Sequence, residues 1–187
     1  MKTTNNQIDS KTICLLKSLE GKKLNSIIHE PFRFTPTSYG IVYLVIDNNK
    51  YIFEDYQAPM EYFKSKEDLS SIKFHEYEGE IKSSLEGVEF IKEEINQTIS
   101  KITLINTNQV ATSKENGVTY QFLDTQCIIF TLEDGYQLSL KKDDFCECIS
   151  IYRGYDALEE VDGLKKRFAK FFGPDFEGTS SINCIDL

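Results

Sequence analysis

The sequence predicts an α+β fold: two tandem repeats, each an antiparallel β-meander followed by a helix, packed as one pseudo-twofold domain. Gly40 to Phe53 recurs at an offset of 77 residues as Gly117 to Phe130, with the pairs Gly40/Gly117, Tyr43/Tyr120, Asp47/Asp124, Ile52/Ile129 and Phe53/Phe130 identical. Helical spacing follows strand-like runs twice, and Leu85-Glu86-Gly87-Val88 lines up with Val161-Asp162-Gly163-Leu164 at an offset of 76. A chain of 187 residues rich in Val, Ile, Tyr and Phe leans toward strands and can bury a sizeable core, which neither half could do alone. The expected division is a disordered 1–8, a first repeat 9–98, a second repeat 99–173 and a tail 174–187.

The elements follow in order. Asp9 or Ser10 caps a short helix with Ile13, Leu15, Leu16 and Leu19 on its apolar side, and Gly21 stops it. Leu24 to Glu30 reads as a strand. Residues 31–39 hold two prolines and three aromatics, which suits an exposed connection. Ile41 to Ile46 and Lys50 to Asp55 pair through Asp47-Asn48-Asn49, whose side chains tolerate a tight hairpin's left-handed geometry. The first of these strands is apolar throughout, so both its faces should be covered; Val118 to Leu123 alternates and should be wet on one face. Pro59 demotes 57–63 to an edge strand or loop. Ser70 to Tyr77 is a strand with Ile72 and Phe74 inward and Lys73 and His75 outward.

From Glu80 to Gln97, Ile81, Leu85, Val88, Ile91 and Ile95 step by four, three, three and four, a helical spacing that Gly87 weakens. Ile99 to Asn106 is the next strand, followed by a polar connection over 107–116. Asp134-Gly135 turns Ile128–Leu132 back into Tyr136–Leu140, and Phe145 to Tyr152 is the last strand. Asp156 to Phe172 reads as a capped helix whose stripe is Leu158, Val161, Leu164, Phe168 and Phe171, ended by Gly173-Pro174.

A duplicated sheet with helices on one face resembles, in plan, the saddle of the TATA-binding protein fold, without a shared motif. That resemblance implies DNA binding. The net charge of −9 opposes it, because a DNA-facing sheet needs an excess of Lys and Arg. The same charge disfavours nucleic acid and anionic membranes as partners and favours cationic ones. Five cysteines at irregular spacings, the lack of an apolar signal-like segment and the lack of a ~20-residue apolar run lead to the expectation of a cytoplasmic protein with reduced thiols.

Chemistry-bearing patterns are sparse. His29 and His75 read as surface or rim residues, since no triad or metal partners accompany them. Cys146-x-Cys148 is too little for a zinc site, and its parity against Glu147, Ile149 and Ile151 suggests that the cysteines face inward. Adjacent carboxylates at Glu93-Glu94, Glu133-Asp134, Asp143-Asp144 and Glu159-Glu160 suit turns and helix starts better than acid/base catalysis. No phosphate loop, nucleophile elbow, cofactor motif or metal motif is present, so no catalytic residue and no cofactor are assigned.

What remains is surface. Phe32, Arg33, Phe34 and Tyr39 in one connection, with Tyr56, Met60 and Tyr62 in another, have the composition of interface hot spots; they could equally cover the strand Ile41–Ile46. With Glu133, Asp134, Asp143 and Asp144 they form the candidate partner-binding set. The expected function is a non-enzymatic intracellular acidic binding protein, an immunity or antitoxin-type inhibitor of a basic protein partner, bacterial by its Asn, Ile and Lys usage. The alternatives are a small-ligand carrier or enzyme with a pocket between sheet and helices, lined by Tyr43, Tyr120 and Cys148, and a structural assembly subunit. The sequence leaves the oligomeric state open.

Overall fold

The computed structural model describes residues 1–32, 35–83, 86–157 and 174–187. Strand accounts for 65% and helix for 5%, so the α+β expectation with one helix per repeat gives way to a mostly antiparallel β fold with, among the described residues, one short helix. The elements are β1 (Lys2–Asn6), α1 (Ser10–Lys17), β2 (Lys23–His29), β3 (Thr37–Tyr39), β4 (Ile41–Ile46), β5 (Asn49–Tyr62), β6 (Ser65–Glu76), β7 (Ile91–Ser113), β8 (Thr119–Leu132), β9 (Gln137–Lys142), β10 (Cys148–Gly154) and β11 (Phe176–Asp186).

The strands pair in the order β3-β10-β9-β8-β7-β2-β4-β5-β6, with β1 and β11 added alongside β8 and β7. Among the described residues every pairing is antiparallel except β1 on β8. Gly40, in the left-handed region at φ +69°, separates β3 from β4. Its N–H donates to the Glu147 carbonyl and its own carbonyl accepts from Asp55 N–H. Because β3 pairs β10 while β4 pairs β2, one bent strand over 37–46 closes the hydrogen-bonded path into a barrel-like ring.

β7 is the strand that both walls share. Its first part, 91–98, pairs β2; its remainder pairs β8 on one edge and β11 on the other. It therefore runs through the expected repeat boundary at 98/99 and takes up residues 107–113, expected as a connection. The main core lies inside the ring, from Leu24, Val42, Leu44, Phe53 and Phe74 on one wall to Ile102, Leu104, Phe130, Leu140 and Ile149 on the other. Leu16 and Leu19, from α1 and the turn behind it, join that core.

Several expectations fail for identifiable reasons. Of the helix expected over 80–97, the described residues 80–83 and 86–90 are irregular and 91–97 begin β7. Gly87 sits at φ +73° and Asn96 at φ +56°, neither compatible with a helix interior, and β2 offers 91–98 a ladder of backbone partners. The aligned repeats are also built differently. Asp47 and Asn48, at φ +47° and +65°, turn β4 into β5, whereas the matching Asp124 and Thr125 lie inside the continuous strand β8. The termini, expected as disorder and tail, supply β1 and β11. The closing helix expected over 156–172 falls outside the described residues from 158 onward, as do Arg33 and Phe34.

Other features match the spacing. Asp9 caps α1, its carboxylate accepting from Thr12 N–H at 2.7 Å, and Gly21 follows at φ +76°. Pro59 lies where β5 has outrun β4 and pairs β6 alone. Among the described residues, no helix is long and apolar enough to cross a membrane.

Candidate protein-interaction surface

The outer face of β2, β4 and β5 carries Ile28, Tyr43 and Ile52. A strap, described over 77–83 and 86–90, covers them. Tyr77, Ile81 and Phe90 pack inward on that patch, with Tyr43 meeting Phe90 edge-on at 5.6 Å and donating its hydroxyl to the Lys82 carbonyl at 3.3 Å. Burial pushes the Tyr43 hydroxyl above its ordinary pKa. With the apolar side chains turned in, the glutamates turn out.

Glu76, Glu78, Glu80, Glu86, Glu89 and Glu94 are all exposed. Residues 76–94 hold seven glutamates against two lysines, so this one stretch carries five of the chain's nine net negative charges. Both lysines are already engaged: Lys82 with Glu80 at 2.9 Å and Lys92 with Glu94 at 2.7 Å. The hydrogen bond from Lys92 holds the Glu94 carboxyl below the usual carboxylate range. Such a concentration of one sign raises the local potential and steers cationic partners toward it.

Beside this acidic face runs a groove of about 700 Å³. One wall is Asn6–Asp9 with Lys11, Thr12 and Leu15 of α1; the other is Tyr56 and residues 71–76 of β6. β6 is the last strand on its side of the sheet and pairs β5 alone.

The expected binding residues are scattered. Phe32 is half-buried, stacked on His29 at 4.5 Å with the Arg153 guanidinium 5.4 Å from its ring. Tyr39 is 43% exposed. Tyr56 lines the groove, with the Lys73 ammonium 4.2 Å over its ring. Met60 packs on the cluster of Tyr62, Leu69 and Phe122. Tyr62 is 8% exposed, donates to Gln109 Oε1 at 3.0 Å and belongs to the interior, where burial drives its pKa far up. Glu133 and Asp134 are exposed at one end of β9; Asp143 and Asp144 lie at the other, half-buried. Asp143 accepts from Phe145 N–H at 3.1 Å, and Asp144 from the Gln126 amide at 2.9 Å. Among the described residues the structure gathers Met60, Tyr62 and Asp144 around Leu69 and Phe122, with Asp143 next along the chain, and scatters the rest.

Two polar clusters escaped the sequence. His29, expected at the rim, is wholly buried: its Nε2 lies 2.7 Å from Glu93 Oε1 and its Nδ1 2.6 Å from the Glu30 carbonyl. Arg153 reaches the same Glu93 through Oε2 at 2.8 Å. A shallow depression of about 390 Å³ opens beside Glu93 and Arg153. No sequence signal could have found this set, because β2, β7 and β10 each contribute one member.

The second cluster arises at a β-bulge. Ile105 faces Cys127 and Asn106 faces Thr125, so Gln126 is an extra residue that kinks β8 where its neighbour changes from β1 to β9. Asp124 there lies 2.8 Å from Lys142 Nζ, and Asn6 and Gln126 donate their amides to it. Burial raises Asp124 to about 6 against the pull of Lys142. Nearby Asp55 is raised further by burial, to about 7, and its Oδ2 accepts from Cys148 N–H at 3.1 Å. Beside Asp124, Lys142 and Asp144 only about 10 Å³ of space is left, room for one water and no substrate.

The cysteines differ from expectation too. Ile149 and Ile151 face the core, Cys146 is exposed and Cys148 half-buried, because Glu147 precedes β10 and its carboxylate accepts from Gln57 N–H at 3.3 Å. Among the described residues no group of His, Cys, Asp and Glu is arranged to hold a metal ion. Compared with known proteins, the chain matches no family model, no curated protein and no solved structure at a significant level.

Proposed function

We propose that the chain is a non-enzymatic acidic binding protein whose partner is a basic protein, in the manner of an immunity or antitoxin-type inhibitor. One observation carries this reading: along 77–83 and 86–90 the side chains of Tyr77, Ile81 and Phe90 pack on the Tyr43 patch while Glu78, Glu80, Glu86 and Glu89 are exposed, as are Glu76 and Glu94 on the flanking strands. The two lysines of that stretch are committed to neighbouring glutamates, so the face has little cationic character of its own. Complementary charge of this kind mainly speeds and orients association.

The test is a comparison of wild type with the variant carrying E78K, E80K, E86K and E89K as immobilised baits at two salt concentrations. Wild type should retain basic proteins that elute as salt rises, and the variant should lose them while melting at the same temperature. Retention that ignores the charge reversal would overturn the proposal.

A further inference from the structure

We infer that the open edge of β11 pairs with the same edge of a second copy of this chain, antiparallel and about a twofold axis at Ser181. The inference goes beyond the acidic-face reading and stands on a different strand.

The backbone of β11 carries the argument. Leu187 N–H donates to the Ile102 carbonyl at one end and Lys114 N–H to the Asp175 carbonyl at the other, and the register between them is unbroken from Phe176↔Ser113 to Asp186↔Thr103. Antiparallel pairing alternates, so Glu177, Thr179, Ser181, Asn183 and Ile185 bond to β7, while the N–H and C=O groups of Gly178, Ser180, Ile182 and Cys184 point away from it. β11 pairs β7 alone, and among the described residues none of those outward groups has a hydrogen-bond partner. Solvent reaches the edge: Gly178, Thr179, Ser181, Asn183, Cys184 and Ile185 are exposed, and Ser180 and Ile182 are half-buried.

The side chains select the occupant. Although 27% of the chain is charged, the run Gly178 to Ile185 holds no charged residue and no proline, and its ladder with β7 has no bulge. Charges, prolines and bulges are what keep sheet edges apart, and this edge lacks them. A charged segment of another protein finds no counter-charge along the run.

A second copy does match. A twofold axis sets each outward N–H against a C=O of the same edge, and the contact closes at two chains. With the axis at Ser181, Ser180 faces the partner's Ile182 and Gly178 faces the partner's Cys184. Glu177 and Asp186, the acids that bracket the run, then fall opposite the partner's Ile185 and the partner's Phe176 rather than opposite each other. Asp186 is in any case paired with Lys101 at 3.5 Å. A strand pair of this length is smaller than the about 800 Å² per partner of a stable interface, and each copy brings nine net negative charges. The dimer is therefore weak, and it tightens as salt screens the repulsion.

Sedimentation velocity and residue-resolved amide hydrogen exchange, run from low micromolar to near-millimolar protein at two salt concentrations, read the contact. Dimer should grow with concentration and with salt. Exchange at Gly178, Ser180, Ile182 and Cys184 should slow with it, while the β7-bonded amides of Thr179, Ser181 and Asn183 stay protected throughout. Ser180→Pro removes one outward donor that the ladder to β7 does not use and should weaken the dimer at least about tenfold. The exposed Ser181 gives a milder probe: Ser181→Lys and Ser181→Glu should each weaken self-association about fivefold, and an equimolar mixture of the two should restore it. A monomer at every concentration, a dimer that leaves the outward amides unprotected or ignores Ser180→Pro, or a mixture no tighter than either variant alone overturns the pairing. So does protection of the edge in a monomer by an added capped peptide Lys-Lys-Val-Thr-Val-Thr-Lys-Lys, which would assign the edge to another protein. Capture of basic proteins by the acidic face loosens with salt where the dimer tightens, so the two readings fail separately.

Discussion

Lys142 Nζ lies 2.8 Å from Asp124 Oδ2, and both side chains are almost wholly excluded from solvent. The pair ties the β8 bulge to the end of β9, and Lys142 also donates to the Ser70 carbonyl on β6, so three strands meet at one ammonium. Removing one partner leaves the other charged and buried. Lys142→Met should cost about 3–5 kcal/mol, and the double variant Lys142→Met with Asp124→Leu clearly less. Urea denaturation of the four proteins of that cycle measures the coupling; additive losses would show that the two groups act independently.

Asp55 and Asp124 set a pH dependence of unusual sign. Burial raises both carboxyls, to about 7 and about 6, so between the ordinary aspartate value and pH 7 the folded chain holds more protons than the unfolded one. Stability should fall as pH rises through that window, with the cost complete above it. Lys142 and the Cys148 N–H temper the size of the effect, whereas Asp144 adds to it at Asp124. The exposed Asp9, Asp134 and Asp186 are lowered, chiefly by hydrogen bonds from Thr12, Tyr136 and Thr103, and act the other way below about pH 4. Melting temperature should therefore peak at about pH 4, on that balance. Asp55→Asn should flatten the decline between about pH 6 and 7, where Asp124 has largely titrated; an unchanged decline would remove Asp55 as its source.

Tyr62 and Tyr39 look alike in composition but differ in environment. Tyr62 packs edge-on against Phe122 at 5.0 Å, so Tyr62→Ala should destabilise by about 3–5 kcal/mol. Tyr39 is largely open, and Tyr39→Ala should stay within about 0.5 kcal/mol. Chemical denaturation distinguishes the two.

Glu93 holds two cationic or dual-role groups at once. Glu93→Ala strips Arg153 of its ion pair and the buried His29 of a charged partner, at a cost of about 1–3 kcal/mol. Glu93→Gln keeps a carbonyl acceptor for either group and should recover part of that loss. Equal losses in the two variants would show that shape, not hydrogen bonding, is what Glu93 supplies.

The helix spacing of Ile81, Val88, Ile91 and Ile95 misled because apolar residues three and four apart serve equally well where a strap crosses a sheet face and then enters a strand. Gly87 and Asn96 carried the contrary signal, but a single glycine costs a helix only about 1 kcal/mol and cannot decide the matter. The matched Asp47 and Asp124 show the same limit from the other side. Identical residues in aligned segments turn the chain at one site and bind Lys142 within a strand at the other. Partner-surface residues were legible only as types, since burial of Tyr62 and the tethering of Asp144 depend on strands remote in sequence.

Local chemistry was enough to determine the Asp9 cap, the Asp47-Asn48 and Asp134-Gly135 turns, the inward side of β6 and the net charge, because each is set by a few adjacent residues or by simple counting. Tertiary structure alone decided that residues 91–113 form one strand, that the termini join the sheet, that His29 is buried and that Glu93 is drawn to Arg153 while Glu76, Glu78, Glu80, Glu86, Glu89 and Glu94 stay exposed. Each of those outcomes depends on which distant backbone is available to pair. Strand pairing is a long-range hydrogen-bonding choice, and side-chain periodicity within one segment carries no record of it.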